Sequence, residues 1–235
     1  MGTRMNGEFP IADRTRTGRR NFLAGAAAAG LLTLPACSGF GGYSLIQAVR
    51  DLLELSTQRA FARLMAPDGF WDNQLARLAL PDLLGSRGNV LQSILTSVVF
   101  KDRLQREFNR VAERGARRAA PIVAETVRAI GVDNALAILR GGPTAATGFL
   151  RNAMAGSLVD AMAPELGDAL RISQEPLVGQ ALAALTGVDV STVARDFSVD
   201  VDNAIWGEIG REESAIRADP ASTNDPGLIA VLATI

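Results

Sequence analysis

The 235-residue chain contains no histidine. That removes the most frequent general base and the most frequent metal ligand available at neutral pH. It contains one cysteine, Cys37, so no intramolecular disulfide forms and no zinc site can be built on cysteine and histidine. A Ser-His-Asp triad and a Cys-His dyad are excluded by the same inventory. Lys101 is the one lysine among 24 basic residues. Aromatic residues are 5% of the chain and lie scattered, from Phe40 to Trp206 beyond the first turns of sequence, which gives no stacking platform for bases. No stretch of useful length alternates polar and apolar at period two, so a sheet has no support. No cofactor, no metal site and no nucleic-acid partner are expected.

What is present is concentrated first at the N-terminus. Arg4, Arg14, Arg16, Arg19 and Arg20 make a basic start, opposed only by Glu8 and Asp13. An apolar run follows from Phe22 to Leu34, shorter than the roughly 20 residues that span a bilayer and suited to a signal-peptide core. Arg19-Arg20-Asn21-Phe22-Leu23 resembles a twin-arginine translocation signal, and Leu34-Pro35-Ala36-Cys37 resembles a bacterial lipobox. General secretory export remains an alternative route. Residues 1–36 are therefore expected to be a removed signal peptide, 37–44 a lipidated cysteine and flexible tether, and 45–235 a helical domain. A lipoprotein cysteine carries several acyl chains, enough for stable attachment. The expected location is the periplasm, anchored to a membrane through Cys37, with the outer membrane favoured. Removing five arginines and two acids leaves 19 basic and 23 acidic residues, a net charge of −4 with no basic footprint for nucleic acid.

Past the tether the periodicity is helical. Apolar residues from Leu45 to Met65 fall at helical spacing, and Ala66-Pro67-Asp68-Gly69 is a turn. Residues 70–84 read as an irregular or short helical piece broken by Pro81, Gly85 to Gly88 as a loop, and 89–100 as strand or helix. Leu104, Phe108, Val111 and Gly115 mark one face of a helix. Pro121 reads as the start of the next helix and Gly131 as its end. Asp133 reads as the cap of a short helix from Asn134 to Arg140. Leu150, Met154, Leu158 and Met162 recur every four residues in what reads as one helix from Thr144 to Met162, kinked or restarted at Pro164. Further helices are expected at Pro176–Leu185, Asp200–Arg217 and Pro226–Thr234. The sum is an all-α, single compact domain of roughly seven to nine helices.

Several residues invite a chemical reading. Gly141, Gly142, Thr144 and Thr147, with Arg151 one turn on, could cradle an anion on free N–H groups at a helix start. The alternative is a tight interhelical turn, with Gly141 left-handed and Pro143 in the first helical position. Arg103, Arg106, Arg110, Arg114, Arg117 and Arg118 line a helix face that suits lipid headgroups or a polyanion, or is simply solvated and balanced by Glu107 and Glu113. Glu213 and Arg217 are spaced for an i, i+4 pair. Glu212 and Glu213 point about 100° apart on a helix and do not converge for acid–base work; Asp160, Glu165, Asp168 and Glu175 are not singled out by spacing. Asp68 is expected to bond its own backbone, and Phe70 and Trp71 to pack under the turn or to dock a partner.

These segments resemble a bacterial family of exported helical proteins, domain-of-unknown-function family 4197. The resemblance is carried by Ala66-Pro67-Asp68-Gly69-Phe70, Leu78-Ala79-Leu80-Pro81, the block from Asn134 to Thr147, Phe149-Leu150-Arg151, and Glu212-Glu213 with Ile216-Arg217 and Pro220. It runs from about Leu45 to the C-terminus. Where the family tends to show Tyr-Phe-Arg-x-x-Thr, this chain has Phe149, Leu150, Arg151 and Met154, which points to packing positions. Ala79 replaces a family proline. The resemblance implies an exported, all-α protein without an assigned activity. The expectation is a non-catalytic envelope lipoprotein, an interaction, scaffold or ligand-binding module with an envelope protein or lipid as partner. The alternatives are a carrier whose interior is lined by Leu150, Met154, Leu158 and Met162, and a carboxylate-based hydrolase.

Overall fold

The computed structural model describes residues 43–80, 97–184 and 189–235. The signal segment with Arg19, Arg20, Phe22 and Leu23, the lipobox with Cys37, the loop Gly85–Gly88 and Gly187 lie outside the described residues. The described residues all fall in one unit, 42–235. Among them are eight α-helices, one 3₁₀ turn and no strand.

Helix α1, Leu45–Leu64, starts where the Ser44 hydroxyl accepts the Gln47 N–H. Its face of Val49, Leu52, Leu53, Phe61 and Leu64 is buried. The Pro-Asp-Gly turn that follows has a physical reason for each residue. Asp68 is left-handed, with φ of 56°. A Cβ on Gly69 would lie 2.1 Å from the Arg63 carbonyl oxygen, so only glycine fits. Phe70 is fully buried. The irregular segment to Leu80 is pinned by buried Asn109, whose Oδ1 accepts the Leu78 N–H while its Nδ2 donates to the Leu78 carbonyl.

Helix α2, Val98–Ala129, buries Leu104, Phe108, Val111, Val123 and Val127. Pro121 sits inside it and starts no new helix. The buried stripe runs unbroken past Pro121, which is itself exposed, so water can solvate the carbonyl that loses its partner. Gly115 is small for packing: a Cβ there would lie 3.1 Å from Leu166 Cδ2 and 3.4 Å from Val201 Cγ1. Short helix α3, Ala135–Leu139, is capped by Asn134, which accepts the Ala137 N–H, and not by Asp133.

The single helix expected from Thr144 to Met162 is two. Helix α4, Ala145–Met154, ends at left-handed Ala155 and Gly156, and α5, Ser157–Arg171, begins there. The four-residue repeat survives the break, because Leu150, Met154, Leu158 and Met162 are all buried. Pro164 lies within α5 and restarts nothing. Helix α6 is Pro176–Ala184. Helix α7, Val190–Ala218, begins ten residues before the expected Asp200, capped by Asp189, which accepts the Ser191 N–H. A 3₁₀ turn at Pro220–Thr223 and helix α8, Pro226–Leu232, complete the domain. Helix α7 packs along α1, α4 and α5, with Phe108 of α2 edge-on to Phe197 at 5.2 Å between ring centroids.

Candidate functional site

Among the described residues, five side chains that are usually ionised are buried: Glu113, Asp202, Glu208, Glu212 and Glu213. Four of them belong to α7. A buried carboxylate needs an opposite charge or several donors, and the partners of these four organise the whole region.

Glu213 fills the anion position that the Gly-Gly-Pro-Thr segment presents. Its Oε1 accepts the Ala146 N–H at 3.0 Å, and its Oε2 accepts the Thr147 N–H and hydroxyl, each at 2.7 Å. Thr144 is the N-cap by position but makes no side-chain cap bond, so a carboxylate from α7 satisfies the first N–H groups of α4. Arg217 pairs with Glu213 at 2.8 Å and also donates to the Leu139 and Ile138 carbonyls at the end of α3. The i, i+4 pair is thus buried and clamps both ends of the α3–α4 turn. Gly141 is not left-handed, since Gly156 is the positive-φ glycine among the described residues. Gly141 is small because its Cβ would lie 2.5 Å from that of Ala145. Pro143 precedes the cap and is not the first helical residue.

One turn along α4, Arg151 Nη2 donates to Asp202 Oδ2 at 3.1 Å and to Asn203 Oδ1 at 2.5 Å. The other oxygen of Asp202 accepts the Trp206 indole N–H at 2.8 Å. Burial pushes the Asp202 pKa up, against the opposing pull of Trp206 and Arg151. Further along α7, Glu208 and Glu212 share Arg211, and Arg63 of α1 reaches Glu212 at 3.1 Å and Glu208 at 4.0 Å. Burial raises the Glu208 pKa, but bonds from Arg211 and Asn73 and the charge of Arg63 outweigh it, so the net shift is downward. Glu212 and Glu213 diverge, one toward α1 and the other toward α4.

Between α4 and α7 lies an open groove of about 770 Å³. The helices run antiparallel here, Thr147 facing Glu213 and Arg151 facing Asp202. Helix α4 supplies Thr147, Gly148 and Arg151; α7 supplies Trp206, Gly207 and Arg211. A Cβ on Gly148 or on Gly207 would meet nothing within 4 Å, so both glycines face open space. Three of the five sequence-nominated contacts, Thr144, Thr147 and Arg151, line this groove. Gly141 and Gly142 are placed in the turn at its end.

The arginine face of α2 is mostly paired. Arg103 meets Glu175 at 3.0 Å, Arg106 and Arg110 approach Asp68 at 3.6 and 3.7 Å, and Arg117 approaches Glu113 at 3.8 Å. Asp68 therefore serves these arginines, where the sequence suggested its own backbone. Trp71 is stacked between the Arg77 and Arg106 guanidiniums, while Phe70 is core. Arg114 is exposed. Burial pushes the Glu113 carboxyl up, and nearby Arg117 only partly opposes it. Among the described residues no group of three His, Cys, Asp or Glu side chains could hold a metal ion. Nor is any described helix long and apolar enough to cross a membrane.

A family model described as Protein of unknown function (DUF4197) matches residues 41–233. The chain belongs to this family. No curated protein and no solved structure matches it. The matched span contains the whole Glu213 clamp and the α4–α7 groove. Asp202, Trp206, Glu208 and Arg63 were not nominated from sequence. The 208, 211, 212 spacing of Glu, Arg and Glu on one helix was a readable signal for part of that network; nothing local pointed to Arg63.

Proposed function

We propose that the chain is the body of an exported lipoprotein, held to a membrane through Cys37, and that it works by binding in the α4–α7 groove. The observation that carries this reading is the lining of the groove. Among the described residues it offers two guanidiniums, an amide, hydroxyls and open glycine positions over a mostly buried indole, with no carboxylate, imidazole or thiol. General acid–base catalysis needs a group that changes protonation near the working pH, and none lines this site. The four buried acids of α7, Asp202, Glu208, Glu212 and Glu213, are turned inward onto arginines, the Trp206 indole and backbone N–H groups, which favours a structural role for them. The carrier alternative has less support, because Leu150, Met154, Leu158 and Met162 lie in the packed core and none lines the groove.

The envelope location rests on the leader. A basic start, a short apolar run and a Leu-Pro-Ala-Cys box favour export, cleavage before Cys37 and acylation, with the outer membrane as destination. The binding half is tested by photocrosslinking in living cells. A benzophenone amino acid at Ala215, an exposed position on the groove wall, is compared with one at Gly179, exposed on α6. The reading predicts a discrete adduct from Ala215 and none from Gly179. Equal labelling from both positions, or none from Ala215, overturns it.

A further inference from the structure

We infer that the α4–α7 groove takes an elongated dianion with an apolar middle, of the kind represented by a long-chain α,ω-dicarboxylate; this deepens the binding reading above and rests on it. Arg151 and Arg211 both line the groove, and among the described residues no acidic side chain does. Each guanidinium is fixed from behind. Arg151 uses Nη2 for Asp202 and Asn203. Arg211 uses Nε and Nη2 for Glu208 and Glu212. The forks themselves are taken up by these bonds; Nη1 of each guanidinium, with Nε of Arg151, is held in place to donate single charge-assisted hydrogen bonds to an oxyanion. Because the buried acids balance these charges, recognition depends on directed hydrogen bonds more than on net attraction.

The spacing sets the ligand's shape. Arg151 is anchored at Asn203, eight residues before Arg211 on a continuous helix, so the two forks are separated by about 12 Å along the axis. Between them α7 presents exposed Gly207, with exposed Gly148 opposite on α4; Trp206 and Gly210 also line the groove but are buried, Gly210 against Thr144. Trp206 is itself mostly buried behind this stretch, so what faces the groove is chiefly bare helix surface at Gly207 and Gly148, which leaves room for a run of methylenes. Glycine inside a helix costs about 1 kcal/mol relative to alanine, yet neither φ nor packing within the chain requires it at Gly148 or Gly207. Their effect is to keep the groove clear between the two cationic positions.

Trp206 supplies a reporter. The chain has two tryptophans, and Trp71→Phe leaves Trp206 alone. Full-length Trp71→Phe protein is titrated with dodecanedioate, and with dodecanoate as the single-anion control. The expected result is a saturable change in Trp206 emission with the diacid, and at least tenfold weaker binding of the monoacid. Arg151→Gln and Gly207→Leu each weaken diacid binding at least tenfold, whereas Gly179→Leu, on α6, leaves it unchanged. No saturable change with dodecanedioate overturns the inference, as does equal affinity for the two acids or full binding by Gly207→Leu. Adducts from Ala215 in cells without dicarboxylate binding would remove this ligand class while leaving the binding reading intact. Absence of both removes both.

Discussion

Glu213 joins α7 to the α3–α4 turn, which lies more than sixty residues away in sequence. Its carboxylate caps α4 and holds Arg217, and Arg217 in turn closes the end of α3. Removing one partner of a buried pair leaves the other charge without compensation, at about 3–5 kcal/mol. Glu213→Ala is therefore expected to lower the unfolding free energy by that order in a urea titration. Glu113 and Glu208 make opposite pH predictions. The folded pKa of Glu113 is raised, so its ionised form costs stability at neutral pH, and that cost disappears as pH falls through the raised value. Glu113→Gln should melt above the parent at pH 7, and the gap should close as the solution is acidified. The folded pKa of Glu208 is lowered, so its contribution is present above the ordinary carboxylate value and is lost as pH falls through the lowered one. Glu208→Gln should melt below the parent at pH 7 and converge with it only in stronger acid.

At the scale of helices, apolar spacing was legible and boundaries were less so. The stripe Leu104, Phe108, Val111 and Gly115 and the repeat Leu150, Met154, Leu158 and Met162 are buried as their spacing implied. Pro121 looked like a start, and Pro164 like a kink or a restart, because proline breaks an isolated helix. Here the buried face on either side continues through each proline, and packing outweighs one lost hydrogen bond. Ala155 and Gly156 turn the chain within an unbroken apolar repeat, where the sequence gives no proline and no polar cluster to mark the turn. The candidate site was legible in part for a similar reason. Thr147 and Arg151 stand out locally, but Glu213, Asp202 and Arg63 meet their partners across distances that no local pattern encodes. Pro121→Ala restores the missing N–H on the exposed face of α2 and a better helix former. It should raise the unfolding free energy by about 1 kcal/mol or more, read from the urea midpoint at constant m-value.

At the scale of the molecule, a helical body, a lipid address and an open groove make one proposal: a tethered binder. On that proposal the tether confines the groove near a membrane, and confinement raises the effective concentration of any partner fixed there without a new contact. Intact-mass analysis of protein extracted from the membrane fraction should show a chain beginning at Cys37 and carrying acyl groups. Cys37→Ser should release the body into the soluble exported fraction. The most direct test joins tether and groove by comparing the Ala215 adduct yield, in cells, between the parent and Cys37→Ser at equal protein levels. The account predicts a discrete adduct in the parent and a marked fall when the cysteine is removed. An equal yield from the untethered chain, or no adduct from either, would contradict it.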